Sequence, residues 1–238
     1  MTRASLRVFA LSTHAPETLK TEDFAGERSL MVEGIERMAA SVADQTCVAQ
    51  FDWRVVQAMA NVPRHEFVPY KQRDAAYKNR ALSIGKRQSI SQPFIVALMT
   101  ELLQVRDRDT VLEVGTGSGY QAAVLSVLAA QVYSIELIPE LGNAAHEVLT
   151  RLRFANVTTK IGNGYRGWKE HAPFDAIIIT AAPDHVPPAL VEQLKPNARM
   201  VIPVGVANQD LKVVVKNADL TTTCTTVVPV SFVPLIRE

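Results

Sequence analysis

Cysteine occurs only twice in 238 residues, at 47 and 224. So few thiols, so far apart, fit a reduced, cytoplasmic protein with two ordinary thiols and leave room for one disulfide at most. The five histidines, at 14, 65, 146, 171 and 185, stand at no metal-ligand spacing, and no cluster of Cys, Asp or Glu accompanies them, so no metal site is expected. No apolar run approaches the length of a bilayer span, and the first 20 residues hold a few apolar side chains around Val8–Leu11 but no signal-peptide core. An excess of one charge is also missing. The 25 basic and 24 acidic residues leave a net charge of +1, too little for a global field that recruits nucleic acid or a membrane surface. What is present is 47% apolar residues at near-zero mean hydropathy, ample for one sizeable soluble α/β domain. Oligomeric state, monomer or homodimer, is left open by the sequence.

The densest signal is Val111-Leu-Glu-Val-Gly-Thr-Gly-Ser-Gly-Tyr120. A short apolar run ends in glycines 115, 117 and 119, and an apolar helical stretch follows. This order reads as a buried strand, a tight turn and a helix whose free N–H groups face a ligand. Missing Cβ atoms at alternate positions let a bulky cofactor approach the backbone. Glu136 closes a second apolar run about 20 residues after the first glycine, where an acid can grip both hydroxyls of a ribose. A dinucleotide fingerprint would need glycine at 120, which is tyrosine, and no Gly-Lys-Ser/Thr of a Walker loop is present. The loop carries no Lys or Arg for phosphates. S-adenosylmethionine, with a cationic amine and a sulfonium, fits these features; a strand, turn and helix without any ligand is the bland rival. Gly117-Ser-Gly119 does not make a hydrolase elbow, because position 116 is threonine.

Residues 1–28 show no periodicity and read as a poorly ordered extension. The rest, 29–238, reads as one domain, a helical part over 29–105 and a Rossmann-like sheet over 106–238. Ser29 to Cys47 has the spacing of an amphipathic helix, and Trp53–Ala60 is a second. Tyr70 to Gln92 is polar and irregular, a loop over a site. Pro93 starts a helix to Gln104, with Ser91 or Gln92 at its cap. Strands are expected at 110–115, 131–136, 157–161, 175–180, 199–203, 211–216 and 225–232, with helices at 119–129, 139–154 and 187–194. This alternation predicts a doubly wound, mostly parallel sheet with an antiparallel pair at one edge and its ligand beyond the carboxyl ends of the strands.

Val62-Pro-Arg-His-Glu-Phe-Val-Pro69, Ile90-Ser-Gln-Pro93, Leu112 to Gln121, Ala172-Pro-Phe-Asp-Ala-Ile-Ile178, Pro203-Val-Gly205 with Gln209-x-Leu211, and Phe232-Val-Pro-Leu235 stand in that order. Together, over residues 30 to 238, they resemble the protein-L-isoaspartate O-methyltransferases. The resemblance implies a class I S-adenosylmethionine-dependent fold and methylation of isoaspartyl carboxylates in damaged proteins and peptides. It implies that Gly115, Thr116, Gly117, Ser118 and Gly119 hold the methionine moiety, that Glu136 with Leu137 holds the ribose, and that Asn163-Gly164 faces the adenine. Ser91 matches the serine that acts at the substrate carboxylate. Ser89, Ile90, Gln92, Pro93, Thr180, Ala181, Ala182, Val204 and Gly205 are placed around the peptide. Four departures from the family pattern stand out: Asn163 for an aspartate, Arg87 for a glycine, Asn197-Ala198 for a Gly-Gly turn, and a longer N-terminus.

Methyl transfer to a carboxylate needs little acid–base help, since the acceptor is ionised at neutral pH and meets a sulfonium. A water-poor, aligning cleft supplies most of the rate, and one hydroxyl such as that of Ser91 suffices to orient an oxygen. Ser91 before a proline-started helix is also a plain N-cap candidate. Glu113 is expected to order the glycine loop through backbone N–H groups, and Tyr120 and Trp168 to be packing residues. The basic residues Lys71, Arg73, Lys78, Arg80, Lys86 and Arg87 read as a solvated face that can attract acidic peptides. Rival readings are a methyltransferase for another carboxylate in a small molecule or tailored peptide, and a cofactor-binding interaction protein without turnover. Thr180-Ala-Ala-Pro183 stands where amino-group methyltransferases carry Asn/Asp-Pro-Pro-Tyr/Phe, and Tyr120 disfavours a nicotinamide enzyme.

Overall fold

The structure, a computed structural model, describes residues 24–237. In chain order it contains α1 (Phe24–Ser41), α2 (Ala43–Thr46), α3 (Trp53–Asn61), 3-10 turns at Arg64–Phe67 and Tyr70–Ala75, β1 (Leu82–Gly85), β2 (Gln88–Ile90) and α4 (Pro93–Leu103). There follow β3 (Thr110–Val114), α5 (Tyr120–Ser126), β4 (Gln131–Glu136), α6 (Pro139–Arg151), β5 (Val157–Ile161), β6 (Phe174–Ile179), α7 (Pro188–Glu192), β7 (Leu194–Val204), β8 (Gln209–Lys216) and β9 (Thr222–Val230).

The seven-stranded sheet has the order β5-β4-β3-β6-β7-β8-β9. The four pairings from β5 to β7 are parallel, and β8 and β9 join antiparallel. Successive residues of the buried strands point to opposite faces, so each strand feeds two cores. Val111, Val132, Ala176, Ile178 and Val201 pack with Met31, Ile35, Val55 and Met59 of the N-terminal helices. Leu112, Val114, Ile135, Ile177, Ile179 and Met200 pack on the other face with Leu190 of α7. The strand order reverses beside β3, which leaves a crevice at the carboxyl ends of β3, β4 and β6.

Two sequence expectations are corrected. Residues 1–23 of the expected extension lie outside the described residues, but 24–28 belong to α1; Phe24 stacks on His65 with ring centroids 3.9 Å apart, which anchors an additional turn. The segment Tyr70–Gln92 is not irregular. It contains a 3-10 turn and a two-stranded hairpin in which Gly85 pairs with Gln88 across Lys86 and Arg87. Those two turn residues have φ of 51° and 58°, the conformation that a two-residue hairpin demands and that glycine or asparagine usually supplies. The hairpin is folded over the glycine loop, and the Lys86 ammonium reaches Glu140 at the start of α6. Arg73 pairs with Glu66, so two of the six basic residues read as a solvated face are tied to other elements.

Arg87→Gly removes a left-handed L-residue that costs roughly 1–2 kcal/mol. It also adds freedom to the unfolded chain, which offsets about half of that. A net gain of about 0.5–1 kcal/mol is expected, read as an increase of about 2 °C in Tm. A lowered Tm would contradict the turn geometry. At Asn197 the Gly-Gly departure is harmless, since asparagine tolerates its φ of 64° within β7.

Candidate active site

The crevice beyond β3, β4 and β6 holds about 880 Å³ of space, part of it open to solvent. Its walls come from the hairpin strand and the following turn (Gln88 to Ser91), the glycine loop (Gly115 to Ser118), the end of β4 (Glu136 to Ile138), and Gly164, Thr180 and Ala181. The C-terminal segment, Val233 to Ile236, closes the last side. Gly115 adopts φ of 100°, and a Cβ there would lie 2.5 Å from Thr180 Oγ1. That hydroxyl donates to the carbonyls of Gly115 at 2.6 Å and Val114 at 3.2 Å, so Thr180 clamps the loop where it leaves the sheet.

The two acids divide the work differently from expectation. Glu136, not Glu113, orders the glycine loop: its carboxylate accepts from Gly117 N–H at 2.7 Å and from Ile138 N–H at 2.9 Å. Each oxygen keeps a further lone pair for a ligand hydroxyl. Glu113 is fully buried and reaches no backbone N–H because its side chain leaves the strand toward β4. There Ser134 donates to Oε2, and Thr116 Oγ1 sits 2.6 Å from the same serine hydroxyl. Its Oε1 is buried with no hydrogen-bond partner among the described residues. Burial pushes this carboxyl up to about 8; the Ser134 hydrogen bond opposes the rise and the neighbouring Glu136 charge adds to it.

Ser91 is not a cap. Gln92 occupies the N-cap of α4 without a side-chain bond, and the Phe94 N–H is taken by Asn79 Oδ1 at 3.0 Å. The Ser91 hydroxyl is therefore free to meet a ligand. An adjoining cleft, lined by Ala81, Gln92, Ile95 and Pro229 to Phe232, shares Ser89, Ser91, Thr180 and Val233 with the first.

Of the residues expected at a site, Glu113, Gly115, Thr116, Gly117, Ser118, Glu136, Leu137, Gly164, Ser89, Ile90, Ser91, Thr180 and Ala181 come together on the first wall, and Gln92 on the second. Gly119, Asn163, Pro93, Ala182, Val204 and Gly205 are not on either. Gly119 caps α5 at φ of 86°, and Pro93 is the buried first residue of α4. Asn163 caps the 3-10 turn Gly164–Arg166 by accepting from Tyr165 N–H at 2.9 Å, a role that asparagine and aspartate share. Ala182 exchanges two backbone hydrogen bonds with Val233 and Leu235, and so holds the C-terminal wall from behind. Gly205 makes the turn into β8 and donates to Pro183 O. Wall residues absent from the sequence expectation include Gln88, Val96, Met99, Val114, Tyr120, Gln121, Ile135, Ile138 and Val233 to Ile236. The block Phe232-Val-Pro-Leu235 was visible, but nothing in it signals that it folds back beside β6.

A cationic nucleoside such as S-adenosylmethionine fits these walls: a backbone loop without Cβ atoms, an unpartnered buried carboxyl oxygen, a second carboxylate, and no Lys, Arg or His on the lining. Comparison with known proteins agrees. A curated protein-L-isoaspartate O-methyltransferase 1 of Cupriavidus necator is 52% identical over 231 residues, 96% of this chain and 89% of the relative. A Plasmodium falciparum protein solved in complex with S-adenosyl-L-homocysteine shares the fold at a TM-score of 0.75 and 24% identity, over 89% of this chain and 99% of that one. A further solved protein-L-isoaspartate O-methyltransferase matches 87% of this chain with a TM-score of 0.75 at 24% identity; the chain spans 65% of its length. The family model for protein-L-isoaspartate(D-aspartate) O-methyltransferase matches residues 37–238, and the chain belongs to that family.

Proposed function

We infer that this chain methylates the free carboxylate of L-isoaspartyl residues in damaged proteins and peptides, with S-adenosylmethionine as methyl donor. The observation that carries the reading is the junction of two clefts at Ser91 and Thr180, one walled by the glycine loop and the acids, the other by the C-terminal strand and α4. When bound, the donor supplies an electrophilic methyl group on a sulfonium. Glu136 holds the ribose in this reading, and its bonds to the Gly117 and Ile138 amides, which keep the loop closed, support it. Glu113 offers the buried Oε1 to positive charge in the cleft. Ser91 donates to one oxygen of the acceptor carboxylate and so orients the other, with no general base required because the acceptor is already ionised. The apolar wall from Val233 to Ile236 excludes water beside it.

No helix among the described residues is long and apolar enough to cross a membrane. A carboxyl methyltransferase for small molecules would use the same donor cleft; the long second cleft along Pro229 to Val233 favours an extended peptide acceptor instead. Ser91→Ala tests the assignment. Turnover on an isoaspartyl peptide should fall on the order of 10–100-fold, the effect of losing one positioning hydrogen bond, with the Kd of S-adenosylhomocysteine within threefold of the parent. Unchanged turnover in steady-state assays would remove Ser91 from the acceptor site.

A further inference from the structure

The block Val62 to Pro69 contains an arginine that the reaction as described does not use. Arg64 is completely buried. Its Nε donates to the Ala76 carbonyl at 2.7 Å and its Nη2 to the Ser91 carbonyl at 2.6 Å, while the guanidinium lies 4.8 Å from the ring centroid of Tyr120. Burial pushes its pKa down to about 10, so it remains a cation at neutral pH. No carboxylate lies within ion-pair distance of it among the described residues, and its Nη1 is buried without a hydrogen-bond partner there. A buried cation held by carbonyls and a ring but paired with no carboxylate is a poor device for stability, where an apolar side chain of similar volume would pack at less cost. What an apolar residue cannot do is pin two carbonyls from one rigid planar fork.

We propose that Arg64 is a positioning residue for the acceptor site, holding the Ser91 peptide unit against the segment after the second 3-10 turn so that the Ser91 hydroxyl faces the cleft. The proposal rests on the isoaspartyl methyltransferase reading above. Lysine at this position keeps the charge but replaces the rigid planar fork with a single flexible nitrogen, so it separates geometry from charge.

The test is a double-mutant cycle on the full chain with an isoaspartyl peptide. Arg64→Lys should lower kcat at least tenfold, with the Kd of S-adenosylhomocysteine and the peptide KM within threefold of the parent. In a Ser91→Ala background the same substitution should change kcat less than twofold, because the hydroxyl it positions is gone. Multiplicative losses, or kcat within twofold of the parent for Arg64→Lys, would overturn the proposal; a merely structural arginine gives the multiplicative result. Arg64→Gln, neutral with one donor group, is the second variant. Should both variants fail to fold, the guanidinium resonances of Arg64 in the parent protein decide. They should move when isoaspartyl peptide is added to the S-adenosylhomocysteine complex, and no movement would overturn the proposal. A parent chain with no turnover on the peptide would sink the underlying reading and this proposal with it, whereas an active parent matched by its variants would sink the proposal alone.

Discussion

Gly115→Ala should weaken binding of S-adenosylhomocysteine by about 30- to 150-fold in calorimetry. At φ of 100° an L-residue is strained by roughly 1–2 kcal/mol. The new Cβ would also stand 2.5 Å from Thr180 Oγ1. Rotating Thr180 away relieves that clash but gives up the hydrogen bond that its single hydroxyl proton shares between the Gly115 and Val114 carbonyls, worth about 1 kcal/mol. The sum, roughly 2–3 kcal/mol, weighs against the loop conformation that faces the cleft, and apparent affinity falls by the same factor as the population of that conformation. Adding Thr180→Ala removes the clash but forfeits the same hydroxyl bonding and leaves the φ strain, so it should restore little of the loss. An affinity within threefold of the parent would show that the loop does not need its glycine.

The second large effect is a pH dependence that Glu113→Gln abolishes. The ordinary value of this carboxyl is 4.5, and burial, against the Ser134 hydrogen bond and with the Glu136 charge, raises it to about 8. Between those values the unfolded chain has released a proton that the ligand-free native state retains. Stability of the ligand-free protein therefore falls as pH rises from about 4.5 to about 8, by several kcal/mol in all. A cation entering beside the unpartnered Oε1 favours the carboxylate, so nucleoside binding should release a proton and tighten as pH rises from about 6 to about 7.5. Calorimetry in buffers of different ionisation enthalpy measures that proton directly. The Glu113→Gln variant should lose the Glu113 share of the slope in stability and release no proton on binding; a parent protein that releases no proton on binding contradicts the assignment.

The parallel half of the sheet was legible because each strand is an apolar run stopped by a glycine, an acid or a threonine at its carboxyl end: Val111 to Gly115, Val132 to Glu136, Ala176 to Thr180. Those stopping residues converge by topology alone, which is why much of the crevice could be read from strand ends. The hairpin from Leu82 to Ile90 was not legible, since its turn is Lys86-Arg87, two residues that announce no left-handed conformation. The loop-ordering role expected of Glu113 falls to Glu136 for a related reason. Sequence spacing places both acids at strand ends but not the direction in which each side chain leaves, and here that direction leads one to Ser134 and the other to two amides. Arg64 was invisible as a buried residue because a cation reads as surface until its carbonyl partners, Ala76 and Ser91, are seen. Val204 and Gly205 looked like cleft residues from their place at a strand end, yet β7 lies one strand too far from the reversal beside β3.

The most direct test of the central claim is radiolabelled methyl transfer from S-adenosylmethionine to paired peptides that differ only in an isoaspartyl or a normal aspartyl residue. Base-labile methyl ester should accumulate on the isoaspartyl peptide and stay at background on its aspartyl twin. Equal labelling of the two, or none on either by folded protein that retains the nucleoside, would contradict the account.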